Sequence, residues 1–349
     1  MKPALTNIPI EDYPQVVAEL GLPKFSAKQL VEWIYEKRVG SFEEMTSLSK
    51  EARAKLAEKY RIDAVELSGY QLSSDGTKKF LLKLDDGKEI ECVLLLSETQ
   101  RRTVCVSSQV GCAMACDFCR TAKMGFKRHL TIGEIASQLR FAMRESEEPV
   151  TNVVFMGMGE PLHNLDNVIY AANLMCNPKA FNLSKRRITI STSGLVDKLR
   201  EFVQRSEVKI AISLSATTDE LRDKLMPINK RFPIEELMDF CREYSQNNRT
   251  RITFEYILIK GVNDSKEDAM RLAKLMRGVR CKINLIPMNP YKEVEYYPSD
   301  LETIEWWQEY LSSKKITATV RVNRGRDILA ACGQLARGEV KVIKPSVSS

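Results

Sequence analysis

Three cysteines crowd together at Cys112, Cys116 and Cys119, in the segment Gln-Val-Gly-Cys-Ala-Met-Ala-Cys-Asp-Phe-Cys. The spacing is C-x3-C-x2-C, a density of thiols that points to metal or catalysis before core packing. Three thiolates fall one short of a closed tetrahedral zinc site. An iron–sulfur cluster on three thiolates leaves one iron open to a ligand, as reductive chemistry on a bound molecule requires. Zinc stays open as an alternative, with the upstream Cys105 as fourth ligand.

Other residues could serve the same chemistry. Gly157, Gly159 and Glu160 stand in the run GMGEP. Glycines let backbone approach a ligand closely, and a carboxylate can accept from an α-amino group. Ser191, Ser213, Ser215 and Asn289 fall at the ends of strand-like runs and trace one rim. Singly, each is more often a turn-forming polar residue. Glu91 shares a strand face with Val93 and Leu95. Burial in that apolar row would raise its pKa and make it a usable base. From the residues alone, an exposed edge-strand glutamate is the plainer reading. Only two histidines occur, His129 and His163, so histidine-based zinc or base chemistry is poorly supplied.

These residues need a scaffold. Apolar β-rich runs recur at 103–108, 152–157, 187–192, 208–213, 252–258 and 282–287, with helix-like stretches between them. Six such alternations predict a parallel sheet wrapped by helices. Six are too few to close an eight-fold barrel, so an open, partial barrel is expected, with its site on the loops after the strands. Thr131 with Glu134, and Ser299 with Glu302, read as helix N-terminal signals, and Pro233 as a first-turn proline. Before the barrel, KKFLLKL and KEIECVLLL flank Asp86-Gly87, a hairpin turn signal. Residues 1–64 read as helical, with a capping box at Ser26 and Gln29 and a second helix from Ser49. The expected division is a helical accessory domain at 1–64, a β-hairpin linker at 65–102 and an α/β partial barrel at 103–349. The tail after Gly338 reads as a short basic extension.

Composition narrows the class. The chain has 349 residues and 44% hydrophobic residues, enough for a large core. Lys and Arg number 53 against 46 Asp and Glu, and the net charge of +7 permits a polyanionic partner without requiring one. The N-terminus MKPALTNIPIEDYPQ lacks the apolar stretch of a secretory signal, and no run is long enough to span a membrane. A cytoplasmic protein is expected, with its nine cysteines reduced.

Several segments extend the pattern: CVSSQVGCAMACDFC, FMGMGEPLHNLDNV, ITISTSGL, AISLSA, LMPIN and RGRDILAACGQL. In this order they resemble the motifs of the RlmN/Cfr family of radical S-adenosylmethionine (SAM) RNA adenosine methyltransferases, and the similarity covers nearly all of residues 88–338. The resemblance implies a partial (β/α)6 barrel of the radical SAM type. It implies a 4Fe–4S cluster on Cys112, Cys116 and Cys119, with SAM held by Gly159, Glu160, Ser191, Ser213, Ser215 and Asn289. It implies that Cys332 carries a methyl group on sulfur, that Cys105 later forms a disulfide with it, and that Glu91 is the proton acceptor.

Such chemistry suits a ring carbon that is too electron-poor to attack the sulfonium of SAM directly, whereas a thiolate attacks it readily. One SAM would methylate Cys332. A 5′-deoxyadenosyl radical from a second would activate that methyl group, which adds to the ring as a covalent protein–RNA adduct. Attack of Cys105 on the Cys332 sulfur would release product, and an external reductant would reset the pair. The implied substrate is carbon 2 of an adenosine in 23S rRNA and tRNA. The implied partners are RNA and an electron donor such as flavodoxin or ferredoxin, and the implied state is a monomer. Methylation at carbon 8, as in the Cfr branch, is the nearest rival. A zinc-bearing RNA-binding protein without chemistry is a second. Ser215 departs from the family's usual histidine, and Arg120-Thr121-Ala122 from its usual Ala-Thr-Gly. The departures bear on one SAM contact and on the bulk and charge beside the cluster. Basic loops at Arg101-Arg102, Lys127-Arg128, Lys185-Arg186-Arg187, Lys230-Arg231 and Arg321-Arg324-Arg326 could meet phosphates.

Overall fold

The computed structural model describes residues 2–97 and 101–336. The basic tail expected after Gly338 lies outside the described residues.

Three short helices open the chain: α1 (Tyr13–Glu19), α2 (Ser26–Val31) and α3 (Lys50–Lys59). Ser49 caps α3 by accepting from Ala52 N–H, as expected. The capping box at Ser26 does not form. Ser26 is already inside α2 and buried, and the Gln29 side chain donates to Ser47 instead.

Three antiparallel strands follow, β1 (Glu66–Leu72), β2 (Lys78–Lys83) and β3 (Glu89–Leu96). The hairpin at Asp86-Gly87 is therefore present. β1 is an addition that its Gly69 and polar residues concealed. The chain continues through β4 (Arg102–Cys105), a two-stranded ribbon of β5 (Gln109–Val110) and β6 (Arg128–His129), and then α4 (Arg120–Lys123) inside that ribbon's loop. Next come α5 (Ile132–Arg144), β7 (Asn152–Phe155), α6 (Leu165–Cys176), β8 (Ile188–Thr192), α7 (Val196–Arg205) and β9 (Lys209–Ser213). The fold ends with α8 (Asp219–Leu225), α9 (Ile234–Asn247), β10 (Ile252–Leu258), α10 (Lys266–Leu275), β11 (Cys281–Pro287), α11 (Leu301–Ser313) and β12 (Ala318–Val320).

All strands except β5 and β6 join one open ten-stranded sheet in the order β1-β2-β3-β4-β7-β8-β9-β10-β11-β12. From β4 onward every pairing is parallel. The six expected barrel strands are all present, and β12 adds a seventh too short to show as a run. Thr131 and Glu134 form a full capping box on α5. Ser299 does not cap α11. Asp300 holds that position, and the Ser299 hydroxyl donates to Asp264. Pro233 takes the N-cap of α9.

Alternation along the strands separates the sheet's faces. Val104, Val153, Phe155, Ile188, Ile190, Phe254, Ile283 and Leu285 are buried in the core. The intervening residues Thr103, Cys105, Asn152, Thr189, Thr253, Glu255, Lys282 and Asn284 line a cavity inside the barrel. The N-terminal helices join the barrel through α5. Arg140, whose side chain is fully buried, pairs with Asp63 at 2.7 Å. Asn7 accepts from Gly133 N–H and Thr131 hydroxyl.

Candidate active site

The cysteine loop hangs from the β5/β6 ribbon, after the C-terminal end of β4. Its neck is tight. Gly111 has φ +73°, and a Cβ there would lie 1.8 Å from the Gly125 carbonyl oxygen. Within the loop Cys112, Cys116 and Cys119 act on one another electrostatically, and burial pushes all three thiols up. Cys112 rises to about 12. A buried thiol of that kind is deprotonated by binding metal, not by solvent. Three thiols on one loop, with no fourth among them, are by their chemistry the donor set of a cluster with one open iron, although among the described residues no three such side chains are already gathered around a metal position. Cys105, the proposed fourth zinc ligand, lines the same cavity as Cys332 instead, and burial and then the Cys332 charge push its thiol up to about 12.

The GMGEP loop follows β7. Its glycines are required by the protein's own backbone. A Cβ on Gly157 would meet Ser107 at 2.7 Å, and one on Gly159 (φ +99°) would meet Gln109 at 2.5 Å. The loop is pinned there: Met158 N–H donates to Ser107 Oγ, and Glu160 N–H to Gln109 Oε1. Close approach to a ligand is thus not the first reason for these glycines. The Glu160 carboxylate is buried and accepts from Leu162 N–H, Ser193 N–H and Ser193 hydroxyl. It acts electrostatically on Cys112 and Cys116, which brings this loop and the cysteine loop together.

Ser191 lies in the last turn of β8 and Ser213 ends β9, both half-buried. Ser215 is fully buried with φ +51°, and its hydroxyl accepts from Ile257 N–H at 3.4 Å. Asn289 follows β11. Its Nδ2 donates to the Cys332 carbonyl at 3.1 Å, while its buried Oδ1 has no hydrogen-bond partner among the described residues. An orphaned acceptor at the rim suits a donor such as an amino group. SAM therefore fits this end of the barrel.

One residue here escaped the sequence reading. Arg222 on α8 is fully buried and donates to the carbonyls of Ser193, Leu214 and Ser213. Asn229, in the run LMPIN, accepts from it at 3.0 Å. Burial lowers the guanidinium to about 10. Arg222 thus ties the loops after β8 and β9 to each other, and LMPIN serves it. No spacing in the sequence announces such a tie.

Cys332 sits on a C-terminal loop that reaches back to the cysteine loop. Arg120 N–H donates to the Gly333 carbonyl at 2.8 Å, and Thr121 hydroxyl to the Leu335 carbonyl at 2.5 Å. The departure at Arg120 is accommodated sideways: its guanidinium points to Glu293 at 3.8 Å. Cys332 pushes up both Cys105 and Cys119, and all nine cysteines are free thiols. Glu91 meets the same loop. It accepts from Ala336 N–H at 2.9 Å and pairs with Lys79 at 3.1 Å, both side chains buried. Register explains this. Val93 pairs with both Lys79 and Cys105, so Lys79, Glu91 and Cys105 share the inner face. Burial outweighs mutual attraction, raising Glu91 and lowering Lys79.

Cys105 and Cys332 open onto the barrel cavity, about 610 Å³ in volume. Its cationic lining is Arg101, Lys209, Lys282, Arg321 and Arg324. Lys209 is lowered by burial and by Lys282, Arg101, Arg187 and Arg186, so these charges converge at the start of the strands. That is the end opposite the cysteine loop, not the end expected. Other basic loops are engaged locally: Arg128 with Glu134 and Asp86, Lys185 with Glu207, and Arg231 with Asp197.

Two family models match the chain. The radical SAM superfamily matches residues 106–273, and the ribosomal RNA large subunit methyltransferase N-terminal domain matches residues 4–62. The dual-specificity RNA methyltransferase RlmN of Syntrophotalea carbinolica is 44% identical over 345 residues, covering 99% of this chain and 92% of the relative. The chain belongs to the RlmN family of radical SAM methyltransferases. A second relative, the dual-specificity RNA methyltransferase RlmN of an Anaeromyxobacter species, is 46% identical over 96% of this chain and 91% of its own length. A crystal structure of a radical SAM methyltransferase from Sphaerobacter thermophilus superposes with a TM-score of 0.92 at 41% identity, covering 95% of this chain and 99% of that one. RlmN-family membership makes the chain a SAM-dependent enzyme with the partial-barrel fold. Among the described residues no helix is long and apolar enough to cross a membrane.

Proposed function

We propose that this enzyme methylates carbon 2 of an adenosine in 23S rRNA and in tRNA, by way of a methyl group carried on Cys332. The observation that carries this is the position of Cys332, within electrostatic reach of Cys119 on one side and Cys105 on the other. A carrier thiol between a cluster loop and a second thiol is what methyl transfer through sulfur needs.

Cys112, Cys116 and Cys119 would hold a 4Fe–4S cluster. Gly159, Glu160, Ser191, Ser213, Ser215 and Asn289 would hold SAM. When bound, the two supply one-electron chemistry that activates an unreactive methyl group. The protein's own residues do the rest. Cys332 takes the methyl group on its sulfur, with the Arg321 guanidinium in electrostatic contact with it. Glu91 takes the proton lost from the ring, and burial raises its carboxyl above the ordinary value, the direction that strengthens a base. Once the adduct has given up one electron, to the cluster that Cys112, Cys116 and Cys119 would hold, and its ring proton to Glu91, Cys105 attacks the Cys332 sulfur as a thiolate; the disulfide forms as the carbon–sulfur bond breaks, and the released carbon takes up a proton to become the methyl group. A donor such as flavodoxin or ferredoxin resets the system in the cytoplasm. The enzyme works as a monomer, and residues 1–64 form an accessory RNA grip ahead of a hairpin linker at 65–102 and the barrel at 103–349.

The roles of the two cysteines separate by substitution. Anaerobically purified Cys105→Ala is expected to accumulate a covalent protein–RNA adduct, seen as a shifted band on a denaturing gel. Cys332→Ala is expected to give none. A Cys105→Ala enzyme that turns over freely would remove the resolving role. Wild-type protein holding one zinc and no iron would end the proposal.

A further inference from the structure

Glu255 is, among the described residues, the one acidic residue lining the cavity onto which Cys105 and Cys332 open. It projects from the middle of β10 and is 4% exposed. Its Oε1 accepts from Asn284 Nδ2 at 2.9 Å. Its buried Oε2 has no hydrogen-bond partner among the described residues; Arg321 Nη1, at 4.0 Å, forms an ion pair with it but stands too far to donate. Burial raises the carboxyl, with Arg321 and Asn284 opposing. A carboxylate oxygen buried without a donor is costly. It is tolerated where a ligand supplies the donor. The surrounding cavity falls within the range of roughly 300–1,000 Å³ common to ligand pockets.

Resting on the function proposed above, we propose that Glu255 is a specificity-determining residue, accepting a hydrogen bond from the exocyclic amino group of the adenine delivered beside Cys332. An adenine extruded from RNA is read at its hydrogen-bonding edge inside such a pocket. Its amino group is a donor, whereas the same position of hypoxanthine is an acceptor and that of purine is bare. Asn284 fixes Oε1, which leaves Oε2 as a single open acceptor. Lys209 and the other cations at the outer end of the cavity would meet the phosphates on either side of the extruded nucleotide. The nucleotide would then enter from the strands' N-terminal end, and the cofactors would occupy the opposite end.

The test uses holoenzyme and two RNA hairpins, carrying either adenosine or purine riboside at the target position. Binding is read by fluorescence anisotropy and turnover by nucleoside analysis. Wild type should prefer adenosine by roughly ten- to a hundred-fold in kcat/KM, carried largely by KM. Glu255→Gln presents its amide NH2 where Oε2 stood, because Asn284 keeps the oxygen. Its preference should collapse toward unity. Iron content and thermal melting report whether the variant is folded and loaded. Wild type that binds both hairpins equally overturns the proposal without reference to any variant. So does a folded, loaded Glu255→Gln that keeps the full preference while wild type methylates RNA. Wild type that methylates neither RNA overturns the underlying function and this proposal with it.

Discussion

Glu91, the proposed base, is a carboxylate held from two sides and yet raised by burial. Lys79 and the Ala336 N–H hold it, Arg120 adds a weaker attraction, and burial still raises it above the ordinary carboxylate range. A base must be ionised to act, so kcat/KM should climb as pH rises through that raised pKa. Glu91→Gln should flatten this limb and lower kcat by about 10²–10⁴-fold. A variant that keeps the limb and the rate would leave Glu91 only the task of holding the C-terminal loop. The stability effect has a fixed sign. The folded state binds this proton more tightly than the unfolded one, so the group's contribution is full below the unfolded pKa and is lost as pH rises through the folded value. The strand face of Glu91 was legible from its alternation with Val93 and Leu95, but its burial was not, because the residues alone favoured an exposed edge strand and the neighbouring strands cover it. Its partners were not. Lys79 lies on another strand and Ala336 lies 245 residues away, and only register and loop closure bring them together.

At the scale of elements, the site depends on loops held by contacts between backbones. The ribbon β5/β6 closes the cysteine loop at Gly111 and Gly125, and the GMGEP loop packs on Ser107 and Gln109. Glycine with positive φ is needed at Gly111 because a Cβ has no room and the left-handed conformation penalises it. Gly111→Ala should cost about 2–5 kcal/mol, from backbone conformation and overpacking together. It should also lower both the melting temperature of the metal-free protein and the iron bound per chain after reconstitution. Unchanged melting and iron content would show that the neck is looser than its geometry indicates. The strands and the capping box at Thr131 were readable because periodicity and capping are local. Ser26 and Ser299 misled for the same reason. Each has a capping residue's chemistry, but the helix starts one position away.

At the scale of the whole molecule, the polar lining of the barrel was present in the sequence and could have been read. Parallel strands buried on both faces run continuously apolar. Here Thr253 and Glu255 alternate with Ile252, Phe254 and Tyr256, and Lys282 and Asn284 with Ile283 and Leu285. That pattern signals a polar interior. It does not reveal which end of the barrel carries the basic rim, because that depends on the strands' common direction and on loops from distant parts of the chain. The opened sheet places the cysteine loop at one end, the basic rim at the other, and Cys105 with Cys332 between them. On the proposed function, that arrangement would deliver a methyl group to a base entering from the far side. The most direct test is to react holoenzyme with rRNA and tRNA fragments, digest the RNA, and identify the methylated nucleoside by chromatography and mass spectrometry. The expected product is 2-methyladenosine, lost in Cys332→Ala. Accumulation of 8-methyladenosine, or of 2-methyladenosine in the Cys332→Ala reaction, would contradict it.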